Sequence, residues 1–290
     1  MKKETFSEED VIISVLRNAK GEDAEIISKI LMKHLDAENR NELVDIMEGK
    51  RLPSLASDII AKKIFDTDEH PERLEFLLRN VADDDSIQVD SSFANKGHIL
   101  SGADQKVIFD ILARLMDNRL SVTELQISAS DLLLLQYSVE EGQKKGDLQF
   151  KNTSGILLVV LMKESPKVFK KFKSERYIHR FKTMTADSGF AYAPMETVIY
   201  VQLDKCLQQF LEGKDGEDNN ELQLLLSAMA DINNPEVIAA SKDSPFMKDI
   251  YSEVKNMSEK KEVQAMLLTR SVCNTMEPLE EKDISRTVAD

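Results

Sequence analysis

The run Gly155–Met162, GILLVVLM, constrains the fold more than any other stretch of the chain. Seven consecutive apolar residues from Ile156 leave no polar face, so the element they form is covered on both sides. That suits a central strand of an α/β sheet. The run is also far too short for the ~18–20 apolar residues of a membrane-crossing helix, and no other run is longer. The expectation is a protein without membrane contact.

Ahead of this strand lies Val107–Ile127, VIFDILARLMDNRLSVTELQI, which has the pattern of two strands joined by a tight turn at Asp117-Asn118. The first contains Ile108–Leu112 with Asp110 inside it, and the second carries Glu124 and Gln126. Side chains two apart share a face of a strand, so Glu124 and Gln126 point together while Leu125 points away. Pairing around the turn brings Asp110 within a few residues of the level of Glu124. A charge inside an apolar strand is expensive to bury unless it is paired or bound to a metal. Here the anomaly occurs in two neighbouring strands, and two carboxylates beside a third polar group suit a hard cation bound through oxygen.

The remaining segments supply layers around this core. Residues 1–50 have the pattern of two or three short amphipathic helices, an N-terminal helical arm with no evident chemistry, in which His34 is a packing or surface residue. Ser54–Phe65 is a helix started by Ser54 or Ser57, and Glu72–Val81 another, opened by Pro71 with Leu74, Leu77, Leu78 and Val81 inward. Ser86–Phe93 alternates as a half-buried strand and Asn95–Asp104 has loop composition. After the hairpin come a helix over Ser128–Lys145, the central strand, a strand over Tyr177–Lys182 and a last strand over Val198–Leu203. Helices follow over Asp204–Leu211, Glu221–Ala230, Pro235–Ala240 and Phe246–Arg270, with Met229, Met247, Met257 and Met266 as core filler. The expected organisation is an arm at 1–50, an α/β core at 51–212, a C-terminal helical region at 213–276 and a disordered tail at 277–290.

Charge is unevenly placed. The net charge of −14 opposes general nucleic-acid binding, yet Lys163–Lys182 holds eight basic residues against Glu164 and Glu175, a local balance of +6. Lys167, Lys170, Lys171, Lys173, Arg176 and Arg180 are therefore candidate phosphate contacts, the alternative being a solvated surface. His179 is read as a strand histidine packed against a neighbour, with phosphate or partner contact as the other reading. Cys206 and Cys273 form no CxxC pair and are expected to be buried reduced thiols. No glycine-rich phosphate loop or GxSxG motif occurs, so nucleotide-cofactor and serine-hydrolase chemistry lack support. The N-terminus MKKETFSEEDV has no apolar signal core, and cytoplasmic residence is the expectation.

An Asp in one strand, Glu-x-Gln in the next (Asp110, Glu124, Gln126), then a helix and an apolar strand, resembles the PD-(D/E)XK nucleases. In particular it resembles their recombination-promoting and transposase-associated branch, in which Gln commonly replaces the usual Lys. Asp58, Lys62 and Phe65 resemble that branch's opening helix, and SPKVFKKF, YIHRFK and VIYVQLDKCL resemble its later segments. The resemblance spans about Pro53 to Arg270. It implies a restriction-endonuclease-like core of mixed sheet flanked by helices, and a metal-dependent DNA endonuclease serving recombination or transposition. By that resemblance Asp110 and Glu124 would hold Mg²⁺ or Mn²⁺, Gln126 would orient water or phosphate, and Lys62 or the basic strip would supply compensating charge. A homodimer is a separate expectation. The competing expectation is a catalytically inactive protein on the same fold, acting as an interaction or regulatory module, which the overall acidity favours.

Overall fold

The computed structural model describes residues 35–90, 99–102, 105–108, 111–125, 154–171, 174–182, 187–189, 196–214 and 220–271. His34, the helix expected over 128–145, Cys273 and the tail fall outside the described residues. Contacts divide the chain into two compact units, Met1–Pro53 with Asp249–Asp290, and Ser54–Lys248. In the first, α1 (Ala37–Met47) starts at Asp36, whose carboxylate accepts from the Asn39 amide at 2.8 Å, and it buries Leu43, Val44 and Ile46.

The larger unit opens with α2 (Asp58–Ile64), capped by the Ser57 hydroxyl, which accepts from Ile60 N at 3.3 Å. Next is α3 (Pro71–Ala82), with Pro71 in its first turn and Leu74, Leu77, Leu78 and Val81 fully buried, as the periodicity predicts. Arg73, 2% exposed, joins the two helices through an Nη1 bond to the Ile64 carbonyl at 3.2 Å. Beyond α3 the expected strand over 86–93 shrinks to a single bridge between Val89 and Leu115 among the described residues. The reason is a competing acceptor: the Val89 amide donates to the Glu75 carboxylate at 2.8 Å, and Arg79, ion-paired to Glu75 at 3.0 Å, donates to Ile87 O.

The expected loop of residues 95–104 contains β1 (Ile99–Gly102), which pairs with β2 (Gln105–Ile108), Gly102 facing Gln105; Ile108, expected in the first strand of the central hairpin, belongs to β2. Strands of four residues are too short for alternation to announce them. The central sheet follows, built of β3 (Ile111–Arg114), β4 (Arg119–Leu125), β5 (Gly155–Met162), β6 (Ile178–Lys182) and β7 (Glu196–Gln202) in the order β3-β4-β5-β7-β6. Its three inner strands are parallel, and β3 and β6 close the edges antiparallel. The fold class is thus α/β, an open mixed sheet with helices beside it.

The β3–β4 turn is set by Asn118, which adopts φ 67°, a left-handed conformation Asn tolerates well. Arg119 holds that turn to the end of α3, pairing with Asp117 at 2.6 Å and Asp84 at 3.0 Å. Alternation sorts the sheet into two faces. One collects Leu112, Leu120, Val122, Leu158, Val160 and Met162, all at most 4% exposed, with Val198 and Tyr200 beside them. The other carries Ile111, Ala113, Leu157, Val159, Leu161, Ile199 and Val201, equally buried. Both faces of β5 are therefore covered. Burying each of its leucines and valines contributes about 1.5–3 kcal/mol.

Between β5 and β6 lies the short helix α4 (Lys167–Lys170). After β7 the chain turns into α5 (Leu203–Leu211), ended at Gly213 with φ 66°, and then into α6 (Asn220–Ala230) and α7 (Pro235–Ser241). The continuous helix expected over Phe246–Arg270 is instead two: α8 (Pro245–Ser258) and a helical segment over 261–271. Ser258 makes the break, its hydroxyl donating to Lys255 O at 2.7 Å and its carbonyl accepting from Gln264 Nε2 at 2.8 Å. The break resets the helical phase. Leu267 and Leu268 face inward, while Met266, expected in the core, is 53% exposed.

The Ser86 hydroxyl, bonded to Asp84 at 2.5 Å, holds that carboxyl below its ordinary pKa, with Arg119 adding to the effect and partial burial opposing it. The folded carboxyl titrates lower than the unfolded one. Its contribution to stability is therefore complete above about pH 4 and is lost as pH falls through the depressed folded value. Asp84→Asn should be less stable than the parent at neutral pH, and urea midpoints should show that gap closing as the buffer is taken from about pH 5 to about pH 3. A gap that stays constant would remove Asp84 from the acid limb.

Candidate functional site

Glu124 sits near the end of β4 on the same face as Leu120 and Val122, only 8% exposed. Its ladder partner in β5 is Val160, and the row continues through Tyr200 of β7 to His179 of β6. At the ordinary spacing of about 4.8 Å between strands, Tyr200 lies about 10 Å from Glu124 across one face. A carboxylate at this depth in an apolar row marks Glu124 as the residue to build the candidate site on. Asp110 and Gln126 lie outside them. Lys62 is half-buried in the last turn of α2, and no hydrogen bond or ion pair joins it to Glu124 among the described residues.

Parallel β4, β5 and β7 end at the same sheet edge, so the segments that leave them are brought together there. The segment after β5 carries the basic turn. Lys167 and Lys171 are exposed, whereas Phe169 between them packs on Tyr200, ring centroids 5.0 Å apart, and on His179 at 5.7 Å. Phe169 thus fixes the turn to the face that bears Glu124 and leaves its lysines outward. The Lys170 side chain and Lys173 lie outside the described residues.

Arg176 is exposed, and its carbonyl accepts from Lys205 Nζ at 3.0 Å. Lys205 also bonds Ser174 O, and Gln209 donates to Glu175 O at 2.5 Å, so α5 holds the loop 174–176 ahead of β6. Arg180 has a different assignment from its neighbours. Its Nε donates to Val81 O at 2.7 Å and its Nη2 to Asn80 O at 3.1 Å, which caps the C-terminal carbonyls of α3.

At the same edge lies a polar chain that residue-type reasoning did not assemble. Asp204, in the first turn of α5, accepts from Ser165 N at 2.9 Å and from the Ser165 hydroxyl at 2.5 Å. Ser165 in turn accepts from Gln202 Nε2 at 2.7 Å, and Gln202 Oε1 meets His179 Nε2 at 2.8 Å. Because Gln202 donates to Ser165, its Oε1 accepts, and the proton of that bond lies on His179 Nε2. The expected packing role of His179 is met, with this bond added. The signal available in sequence was only a polar residue at or after the end of each apolar strand, Gln202 closing β7 and Ser165 following β5, which by itself has many readings. Ser165 is 6% exposed and bonded on both sides, a clip between β5 and α5.

Cys206 offers no nucleophile. It is fully buried, and burial pushes its thiol up to about 12. Among the described residues no helix is long and apolar enough to cross a membrane. A scan of the sequence against protein-family models finds no match, and searches of curated proteins and of solved structures find none either.

Replacing Arg180 by Met should lower the free energy of unfolding by about 1–3 kcal/mol through loss of two charge-assisted bonds. Lys171→Met should change it by less than about 0.5 kcal/mol. Urea denaturation of the two variants side by side reads the difference, and equal values would show that the α3 cap carries no stability.

Proposed function

We propose that the chain is a metal-dependent nuclease of the PD-(D/E)XK type acting on DNA in a recombination or transposition setting. The observation that carries this reading is Glu124, a carboxylate 8% exposed at the edge and on the face where the basic turn is anchored. The β3–β4 register supports it further. Ile111, which follows Asp110 in the sequence, pairs with Thr123, which precedes Glu124. The strand order also supports it, since an antiparallel hairpin followed by a parallel central strand is what such a core requires.

The donor set suits the ion. Asp110 and Glu124 offer hard carboxylate oxygens of the kind Mg²⁺ and Mn²⁺ prefer, and they would be its ligands. Once bound, the ion supplies Lewis acidity toward a phosphoryl oxygen and lowers the pKa of a water. The remaining work belongs to side chains. Gln126 is neutral, accepts and donates, and would orient the attacking water rather than remove its proton. Lys167 and Lys171 would neutralise flanking phosphates, and Lys62 would offset charge as it develops.

Plasmid nicking tests this. Purified protein should nick supercoiled DNA with Mg²⁺ or Mn²⁺ and not with EDTA. Asp110→Ala and Glu124→Gln should each reduce the rate at least about a hundredfold while the urea midpoint of Glu124→Gln stays within the folded range. Full activity in either variant would sink the assignment. An inactive parent that shows no Glu124-dependent uptake of Mn²⁺ in calorimetry would leave the interaction-module reading, which the net charge of −14 favours.

A further inference from the structure

The face that carries Glu124 also presents an apolar, cationic surface that the metal site does not use. Phe181, on edge strand β6, is 43% exposed and meets Tyr200 edge-on at 5.4 Å and 88°. Phe169 meets the same Tyr200 from α4, so the basic turn and Phe181 share a common neighbour. Val168, 59% exposed, stands on α4 between exposed Lys167 and buried-facing Phe169, and exposed Lys171 follows. An exposed aromatic ring on an edge strand, set perpendicular to a second ring on which the lysine-bearing turn also packs, matches one ligand chemistry closely. The flat face of an unpaired base stacks on the ring, and the phosphates of its strand meet the lysines.

We propose that Phe181, Val168, Lys167 and Lys171 form a binding surface for single-stranded nucleic acid, with Phe181 as the stacking platform. Charge complementarity selects this occupant, because Lys167 and Lys171 are exposed beside exposed Val168 on a chain of net charge −14. A duplex has its bases stacked inside and offers no ring face to Phe181, so unpaired strands are preferred. The surface rests on the nucleic-acid reading of the basic turn but not on the metal site, and a substrate it selects would carry an unpaired end, gap or flap.

Fluorescence anisotropy with a labelled oligothymidylate of roughly 20 nucleotides in EDTA measures binding without cleavage. The parent should bind this strand more tightly than a blunt duplex of equal length. Phe181→Ala should lower that affinity about tenfold and leave its dependence on salt unchanged, and Phe181→Tyr should restore it. Lys167→Glu with Lys171→Glu should weaken binding and flatten the salt dependence. Equal affinity for the duplex, an unchanged Phe181→Ala variant, or binding only to vesicles of anionic lipid would each overturn the proposal. Nicking is scored separately: stacking lost with cleavage intact overturns this surface alone, and cleavage absent with stacking intact overturns only the nuclease.

Discussion

Everything in the larger unit depends on β5 having no polar face. A strand of this composition is stable only with a neighbour on each side and a layer on each face, and here β4 and β7 flank it in parallel. Parallel neighbours require crossovers, and crossovers carry every inner strand to the same exit edge. Polar residues excluded from the strand interiors therefore accumulate where the chain leaves them. Ser165, Gln202 and Asp204 meet at that edge, and Glu124 lies near it, close to the end of β4.

The cations of the unit divide by what they hold. Arg73 and Arg180 donate to main-chain carbonyls of α2 and α3, and Lys205 does the same for the loop 174–176. Arg119 pairs with two aspartates to fasten the hairpin turn. Lys167 and Lys171 remain on the surface, turned outward because Phe169 is turned inward. A stretch that is uniformly basic in sequence is therefore not uniform in role. One member closes a helix, and others face solvent beside exposed apolar groups.

How far the sequence discloses this follows from how local each signal is. The run GILLVVLM, the helix beginning at Pro71 and the turn at Asn118 each depend on a few adjacent residues, and all three stand where periodicity and turn chemistry put them. The bridge at Val89 does not, because its amide is taken by Glu75 on a helix fourteen residues away. The hairpin β1–β2 is hidden by strands of four residues, and the break at Ser258 by a side chain that ends a helix without glycine or proline. In the candidate site, Glu124 is legible as a charge in an apolar strand. The chain from His179 to Asp204 is not, since its members come from three separate segments and each is ordinary alone.

The bond from Arg180 to Val81 joins residues 99 apart in the chain. Closing so long a loop is entropically unfavourable until much of the sheet already exists. The last turn of α3 is therefore completed late, after β6 has reached the margin of the sheet. During synthesis that helix end must wait for roughly a hundred further residues to emerge. A nascent chain released before Arg180 would present uncapped carbonyls together with the unmated flank of β5, a combination apt to recruit quality-control factors or to self-associate.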